Sequence, residues 1–571
     1  MRPSSAMRAL FALFAVFCCC VLLPAQTPVV SAGGETMRIR SSTVTPSGAA
    51  FNITVVMEND NVNATLPTTF RRWWHFQVAN LNASGVTLNF TIDSTSGYTD
   101  VILPVWSRST DGVNWTDYVR CPTTATPTVS ATGGRHTFSL AVPAGTAAIR
   151  LAKYFPYTVA RKNAWLASIQ GRPQIRSTSV IGASVQGRTI EMLELTDGSV
   201  PDANKRRVWI HSGIHPAETT SFFTVEGLVD WLCSNDAYAA SLLDRAIVTI
   251  VPMANPDGVF LGNYRVNANS VNLEDEWAAP YNSTQPEIVA LRTRIEQFMG
   301  TAAVPGQNPI EVLLNLHSSH NLAYPFHFLH AANASWTAGA TGVLPIVNHR
   351  EQQWIAQFKA RSPFVNRGAN QSSSAGFPTR PFVESMAHDR WTAVNGWLNA
   401  PNFEQPVMAI TFEGTYGRGP DGVTWNTEAD YRLCGAQLGL ALCDYFSIVP
   451  GASVTAYGAP CQSLSLAGTL GAPGLNQSLT LTASSAAPNS LLVLAVGGQQ
   501  IQVPLPAPWS SCNALATLDS NFVFFANAAG VGTLPLTLPP LPGLAGYLQA
   551  GALDAAGGLD ASNGLFLRNN Y

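Results

Sequence analysis

The rhythm of hydrophobic and polar positions changes twice along the chain and divides it into three. From about Met37 to Ile169, short apolar stretches are broken by Ser, Thr, Asn and Gly, and Phe76-Gln77-Val78, Val86 to Ile92 and His136 to Val142 alternate with a period of two. Such alternation gives a strand one buried face and one wet face, so the region predicts a β-sandwich over residues 37–172. From about Arg176 to Ser447 the strands become continuous apolar runs, such as Arg207-Val208-Trp209-Ile210 and Ala246 to Val251, alternating with helical segments such as Phe222 to Cys233 and Ile288 to Met299. Strands apolar on both faces and separated by helices predict an α/β domain over 173–450, with a mixed, mainly parallel sheet and its chemistry at the carboxyl ends of the strands. After Pro450 alternation returns in Ser478 to Thr482 and Leu491 to Val496, punctuated by Pro and Gly, which predicts a small all-β domain over 451–571. Its charges are only Asp519, Asp554, Asp560 and Arg568, and it has no histidine, so the chemistry is expected elsewhere.

Composition adds limits to this picture. At 571 residues the chain exceeds the roughly 250 to 300 at which single cores stop growing, in keeping with several domains. Arg2 and Arg8 flank the start of an apolar stretch, Ala9 to Leu23, that gives way to small and polar residues through Ser31-Ala32-Gly33. This reads as a secretory signal peptide over 1–32, so a secreted, periplasmic or cell-surface location is expected. The stretch is shorter than the ~20 residues a membrane span needs, and no later segment is long and apolar enough, so no transmembrane anchor is expected. Losing the leader would take the formal charge from -3 to -5 and leave six cysteines. That charge offers no basic field for nucleic acid, which leaves a peptide or small amide as the expected partner. Oligomeric state is left open. In an exported chain Cys461 and Cys512 form a natural pair, with Cys434 and Cys443 as a second candidate.

The chemistry concentrates where three predicted strands end. Trp209-Ile210-His211-Ser212-Gly213-Ile214-His215-Pro216-Ala217-Glu218 runs from a strand into a loop, with a helix expected from near Thr219. Its His215-x-x-Glu218 spacing lets an imidazole and a carboxylate converge on one zinc ion. His317 follows the apolar run Ile310 to Leu316, and Glu413 follows Val407 to Phe412. Three protein ligands with a fourth position open is the catalytic rather than the structural arrangement of zinc. His320 is an alternative to His317 as the third ligand.

The order of these residues, with Asn255-Pro256-Asp257-Gly258 and Gly262-Asn263-Tyr264-Arg265 between them, resembles the zinc carboxypeptidases, and most of all their cytosolic carboxypeptidase branch. Trp74-His75-Phe76-Gln77-Val78 and Tyr154-Phe155-Pro156-Tyr157 are similar to the β-domain that precedes the catalytic domain in that branch. The resemblance spans roughly residues 65–445. It implies one zinc ion per chain held by His215, Glu218 and His317, Glu413 as general base on water, and Arg265 polarising the scissile carbonyl and stabilising its oxyanion. It also favours His317 over His320. The family's assisting tyrosine has no clear counterpart, with Tyr416 and Tyr324 as candidates.

One stretch departs from the family pattern. Where relatives carry Asp-Leu-Asn-Arg, whose last two residues hold a substrate's terminal carboxylate, this chain reads Asn272-Leu273-Glu274-Asp275. Two acids repel an anion that an arginine would bind bidentately, so Glu274 and Asp275 are expected to line an atypical, acidic substrate subsite. Three explanations stay open: a substrate end bearing an amine or amide, recruitment of another cation such as Arg380 or Arg390, or loss of carboxypeptidase activity with the metal kept. The expectation is a zinc metallopeptidase acting near a peptide end. A catalytically silent zinc-containing binding protein and an N-acyl amino acid deacylase are the alternatives.

Overall fold

A computed structural model describes residues 26–571 except 82–84, 96–97, 203–204, 330–344, 368–370, 374–381, 392–406, 473–475, 540–543, 554–556 and 570–571. The N-terminal region forms two five-stranded sheets facing each other. Their inward positions, among them Ile53, Val55, Phe76, Val78, Phe90, Leu140 and Leu151, are buried, as the period-two pattern requires. The predicted stretches appear as strands His75–Ala79, Val86–Asp93 and Arg135–Val142. Val29–Ser31, placed by sequence inside the leader, instead forms the edge strand paired with Gln77–Ala79. The 1–32 boundary is therefore corrected, since these three residues belong to the sandwich. The apolar stretch Ala9 to Leu23 lies outside the described residues.

The central region is built on an eight-stranded mixed sheet. Strands Arg206–Ser212, Ala246–Val251, Ile310–Ser319 and Met408–Thr415 run parallel at its middle. Antiparallel strands flank them, Thr189–Leu195 on one side and Phe326–Leu329 on the other. Helices Thr220–Leu232 and Glu428–Tyr445 cover one face, and Pro286–Met299 lies on the other. Covering both faces explains why these central strands read as unbroken apolar runs. The sandwich and this sheet share one continuous hydrophobic cluster, which runs from Phe51 through Phe155 and Phe223 to Ile448.

The C-terminal region has its own core of Leu466, Leu481, Leu492, Leu494, Leu548 and Leu565 between a five-stranded and a three-stranded sheet. Cys461 and Cys512 are joined by a disulfide there. Cys434 and Cys443, in contrast, are both free thiols. They lie on one helix, Glu428–Tyr445, and nine residues of helix separate their backbones by about 13 Å, too far to bridge. No helix among the described residues is long and apolar enough to cross a membrane.

Candidate metal centre and active site

The three parallel strand ends meet at one place. Strand Arg206–Ser212 ends at Gly213, whose φ of +75° turns the chain, and a Cβ there would lie 2.4 Å from the Phe222 ring. Only glycine allows both the left-handed turn and that contact. The turn carries His215 and Glu218 over the sheet edge, ahead of the helix that begins at Thr220. Asn255 fixes the loop from below: its Oδ1 accepts from Gly258 N at 3.0 Å, capping helix Pro256–Leu261, and its Nδ2 donates to the Ile214 carbonyl at 3.2 Å. In the neighbouring pair of parallel strands, His317 and Glu413 stand directly opposite each other.

The donor atoms of His215, Glu218 and His317 all lie within 4.8 Å of one another, and all three residues are buried. Glu218 Oε1 is 2.8 Å from His215 Nδ1, its Oε2 is 2.7 Å from His317 Nδ1, and the two Nδ1 atoms are 3.1 Å apart. Two imidazole nitrogens brought this close, with a carboxylate between, suit one cation better than one another. Zinc–nitrogen bonds of about 2.0 to 2.1 Å in a tetrahedron put ligands about 3.3 Å apart, so the set fits zinc. The arrangement is also polarised. Burial opposes the charge of Glu218, but His215 and His317 hold its carboxyl well below the usual range.

Glu413 behaves in the opposite way. Its side chain is only partly buried, and burial followed by repulsion from Glu218 pushes its carboxyl up to about 8, against the pull of His317 and Arg265. A carboxyl held near neutrality can both take and return a proton. Arg265 lies close enough to act on both Glu413 and His215, and burial together with Arg265 pushes the His215 imidazole down. Among the described residues its guanidinium makes no ion pair within 4.0 Å, which leaves a cation available beside the ligands.

Residues 162–381 match the family model described as zinc carboxypeptidase. This chain carries a zinc carboxypeptidase domain. It is 28% identical over 273 residues to human cytosolic carboxypeptidase 6, covering 45% of this chain and 52% of that protein. It is 29% identical over 174 residues to the Caenorhabditis elegans cytosolic carboxypeptidase 6, covering 30% and 37%. The chain thus spans about half the length of the human relative. Among solved structures, a metallo-carboxypeptidase from Burkholderia cenocepacia aligns with a TM-score of 0.56 and 23% identity, covering 74% of this chain and 99% of that one. One from Pseudomonas aeruginosa, in complex with (2-guanidinoethylmercapto)succinic acid, gives 0.56 and 21%, covering 73% and 99%. At these identities the structures show the fold.

Within the carboxypeptidase domain, the departing stretch Asn272 to Asp275 turns inward. Leu273 and Trp277 are buried in an apolar cluster and set the orientation of the short 3-10 helix Leu273–Trp277. Glu274, only 4% exposed, therefore lies behind the ligands with Oε2 3.3 Å from His317 Nε2, and Asn315 Nδ2 donates to its Oε1 at 3.2 Å. Burial opposes its charge, but His317 keeps its carboxyl below the usual range. Asn272 Oδ1 is 3.0 Å from His215 Nε2, and Asn272 Nδ2 donates to Asp275 Oδ2 at 2.6 Å. The second nitrogen of His215 thus faces Asn272 at hydrogen-bond distance and that of His317 stands 3.3 Å from the Glu274 carboxylate, the places that outer partners take at metal sites. The expectation that Glu274 faces the substrate is corrected by this placement. Asp275 stays exposed at the rim.

The remaining candidates separate cleanly. His320 stands apart from the ligand set, with Nε2 4.0 Å from Asp100 Oδ2 and its ring against Tyr154 and Tyr416. Tyr416 is fully buried, stacked on Tyr154 at 3.7 Å, and donates to the Ala217 carbonyl at 3.3 Å, so packing holds it in place. Tyr324 lies in the loop before strand Phe326–Leu329. Arg390 pairs with Glu296 and packs on Tyr281 and Trp391, and Arg380 lies outside the described residues. Sequence reasoning missed Asn272 and Asn315 as supports. Asn272 meets His215 and Asn315 meets Glu274, but a supporting amide has no signature of its own in the sequence.

Proposed function

We propose that this protein is an exported zinc-dependent metallopeptidase that hydrolyses a peptide or amide bond near a peptide end. The observation that carries this reading is the convergence of His215, Glu218 and His317 beside a half-buried Glu413 with a raised carboxyl pKa. When bound, zinc supplies Lewis acidity toward a carbonyl oxygen and lowers the pKa of a water molecule to about 7. Glu413 takes a proton from water and returns it to the departing amine. Arg265 balances the negative charge that grows on the carbonyl oxygen. His215 and His317 keep their orientation because Asn272 and Glu274 hold their far nitrogens.

The substrate end is proposed to lack a free terminal carboxylate. In the stretch Asn272 to Asp275 no side chain is a cation, and the charge left at the rim is the carboxylate of Asp275. An amine-bearing or amidated end suits that rim better than an anion. Export rests on Arg2, Arg8 and the apolar run Ala9 to Leu23, and the Cys461–Cys512 disulfide fits an oxidising compartment.

Metal analysis of the purified protein, with a panel of peptides ending in free, amidated and diamino-acid residues, tests the reading. We expect about one zinc per chain, turnover abolished by a chelator, and a fall of at least about 10³-fold in Glu413→Gln with zinc retained. Turnover that survives both zinc removal and Glu413→Gln would rule the reading out. Zinc without turnover on any peptide, amide or ester would favour a silent binding protein, and turnover confined to N-acylated amino acids a deacylase.

A further inference from the structure

The catalytic cation sits on a loop that is held from another domain. Arg265 belongs to the segment Gly262 to Asn267, which follows helix Pro256–Leu261; the N–H groups of Gly262, Asn263 and Asn267 bond locally, to the carbonyls of Val259, Gly258 and Val271, which leaves those of Tyr264, Arg265 and Val266 to be met from elsewhere. The N-terminal sandwich supplies the missing acceptors through the three residues Asp60–Val62. Asp60 is 2% exposed, and its carboxylate accepts from three successive backbone N–H groups: Tyr264 at 2.7 Å, Arg265 at 2.8 Å and Val266 at 3.1 Å. Asn61 and Asn263 clasp one another, with Asn61 N donating to Asn263 Oδ1 at 3.1 Å and Asn263 Nδ2 to Asn61 Oδ1 at 2.8 Å. Asn61 Nδ2 also donates to the Asn267 carbonyl at 2.8 Å.

The backbones meet as closely as they can. Gly262 has φ of +69°, and a Cβ on it would lie 2.7 Å from the Thr36 carbonyl oxygen, so this contact excludes other residues. Asn61 and Val62 both have positive φ, an uncommon conformation for residues with side chains and a costly one for β-branched valine. Surroundings must over-determine such a turn for it to persist, and here the three N–H donors do so.

We propose that Asp60 is a positioning residue for Arg265: its carboxylate gathers the 264–266 amides and so fixes where the guanidinium stands relative to Glu413 and the metal ligands. This rests on the hydrolytic reading of the site. It gives the sandwich a part in the chemistry, since the loop carrying the cation is completed by a residue about two hundred positions earlier in the chain. Two carboxylate oxygens can accept three N–H bonds, whereas the single oxygen of an asparagine leaves an NH₂ facing a donor. Asn at this position is therefore not a neutral exchange.

The test uses the full chain with Asp60→Asn and Asp60→Ala, each alone and combined with Arg265→Ala. Amide hydrogen exchange reads the clamp without any substrate. We expect the amides of Tyr264, Arg265 and Val266 to exchange at least about 10²-fold faster in Asp60→Ala, with the amides of strands Arg206–Ser212 and Ile310–Ser319 and the zinc content unchanged. Unaltered exchange at 264–266 would overturn the proposal. On a peptide that the panel shows to be turned over, kcat should fall about 10-fold in Asp60→Asn and about 100-fold in Asp60→Ala with KM little changed. In the Arg265→Ala background the same Asp60 changes should cost less than about 2-fold, because the group they position is gone. Equal losses in both backgrounds would show that Asp60 acts otherwise and would overturn the proposal. A wild type that turns over nothing would defeat the hydrolytic reading, while the exchange measurement would still decide whether Asp60 holds the loop.

Discussion

The two all-β regions that flank the carboxypeptidase domain look alike in sequence and are used differently. The N-terminal sandwich shares a continuous hydrophobic cluster with the catalytic sheet, and its polar groups reach into catalytic loops: Asp60 to Tyr264–Val266, Arg38 to the Leu261 carbonyl, and Arg120 to the carbonyls of Tyr416 and Asn426. The C-terminal region keeps its own core and its own disulfide. It meets the catalytic domain at Arg568, which pairs with Asp197 and lies 3.6 Å from Asp244 beside a cavity of about 430 Å³. A β-domain without an independent core is part of the machine it packs against, whereas one with a closed core is an attachment. Strand patterns alone cannot tell the two apart, because both alternate in the same way.

The largest expected effect separates the two cores. Phe76→Ala, in the shared cluster, should destabilise by about 3–5 kcal/mol and lower one thermal transition in which zinc is released together with the sandwich. Leu492→Ala, in the separate core, should leave that transition in place and lower another, as followed by calorimetry with a zinc-release dye. A single transition shifted equally by both would break the distinction. Next in size is the disulfide, which closes a loop of 51 residues: Cys461→Ala with Cys512→Ala should cost about 2–4 kcal/mol in the C-terminal transition and leave zinc content unchanged.

Acid should reach the sandwich first. Burial, with Arg150 nearby, pushes the His75 imidazole down to about 3, and burial with Lys153 pushes His136 down to about 4. In the folded chain both stay neutral where the unfolded chain takes up protons, near 6.5. Their contribution is thus complete above about pH 6.5 and is lost as pH falls toward 4 and 3, on the order of 2 kcal/mol for each histidine between pH 7 and pH 5. The C-terminal region has no histidine, so its transition should hold steadier across that window, which denaturation curves at pH 7 and pH 5 would check. The smallest effect belongs to the seam: Arg568→Ala breaks a partly exposed pair and should cost less than about 1 kcal/mol. A loss of several kcal/mol there would mean that the C-terminal region is integral after all.

Much of the site was readable before any coordinates. His215, Glu218, His317 and Glu413 each follow an apolar run, and a polar group directly after a buried strand stands at the sheet edge where α/β domains keep their chemistry. What could not be read was direction. Glu274 and Asp275 are adjacent acids in a loop, and their charge suggested one shared role at a substrate rim. Burial of Leu273 and Trp277 rotates the 3-10 helix so that Glu274 turns back to His317 while Asp275 stays outside. Cys434 and Cys443 misled for a related reason: closeness in sequence says little when a helix holds both rigidly apart.

By itself, then, the sequence determined the main elements and picked out His215, Glu218 and His317 as a candidate metal set, because strand periodicity and metal-donor chemistry are properties of neighbouring residues. It also marked the stretch Asn272 to Asp275 as unusual. Only the tertiary structure decided which acid lies against His317, that the N-terminal sandwich shares the core of the central sheet, and that Asp60 reaches the loop of Arg265. Those are contacts between residues from tens to about two hundred positions apart, and their pairing is set by how sheets and loops pack, which local pattern does not encode.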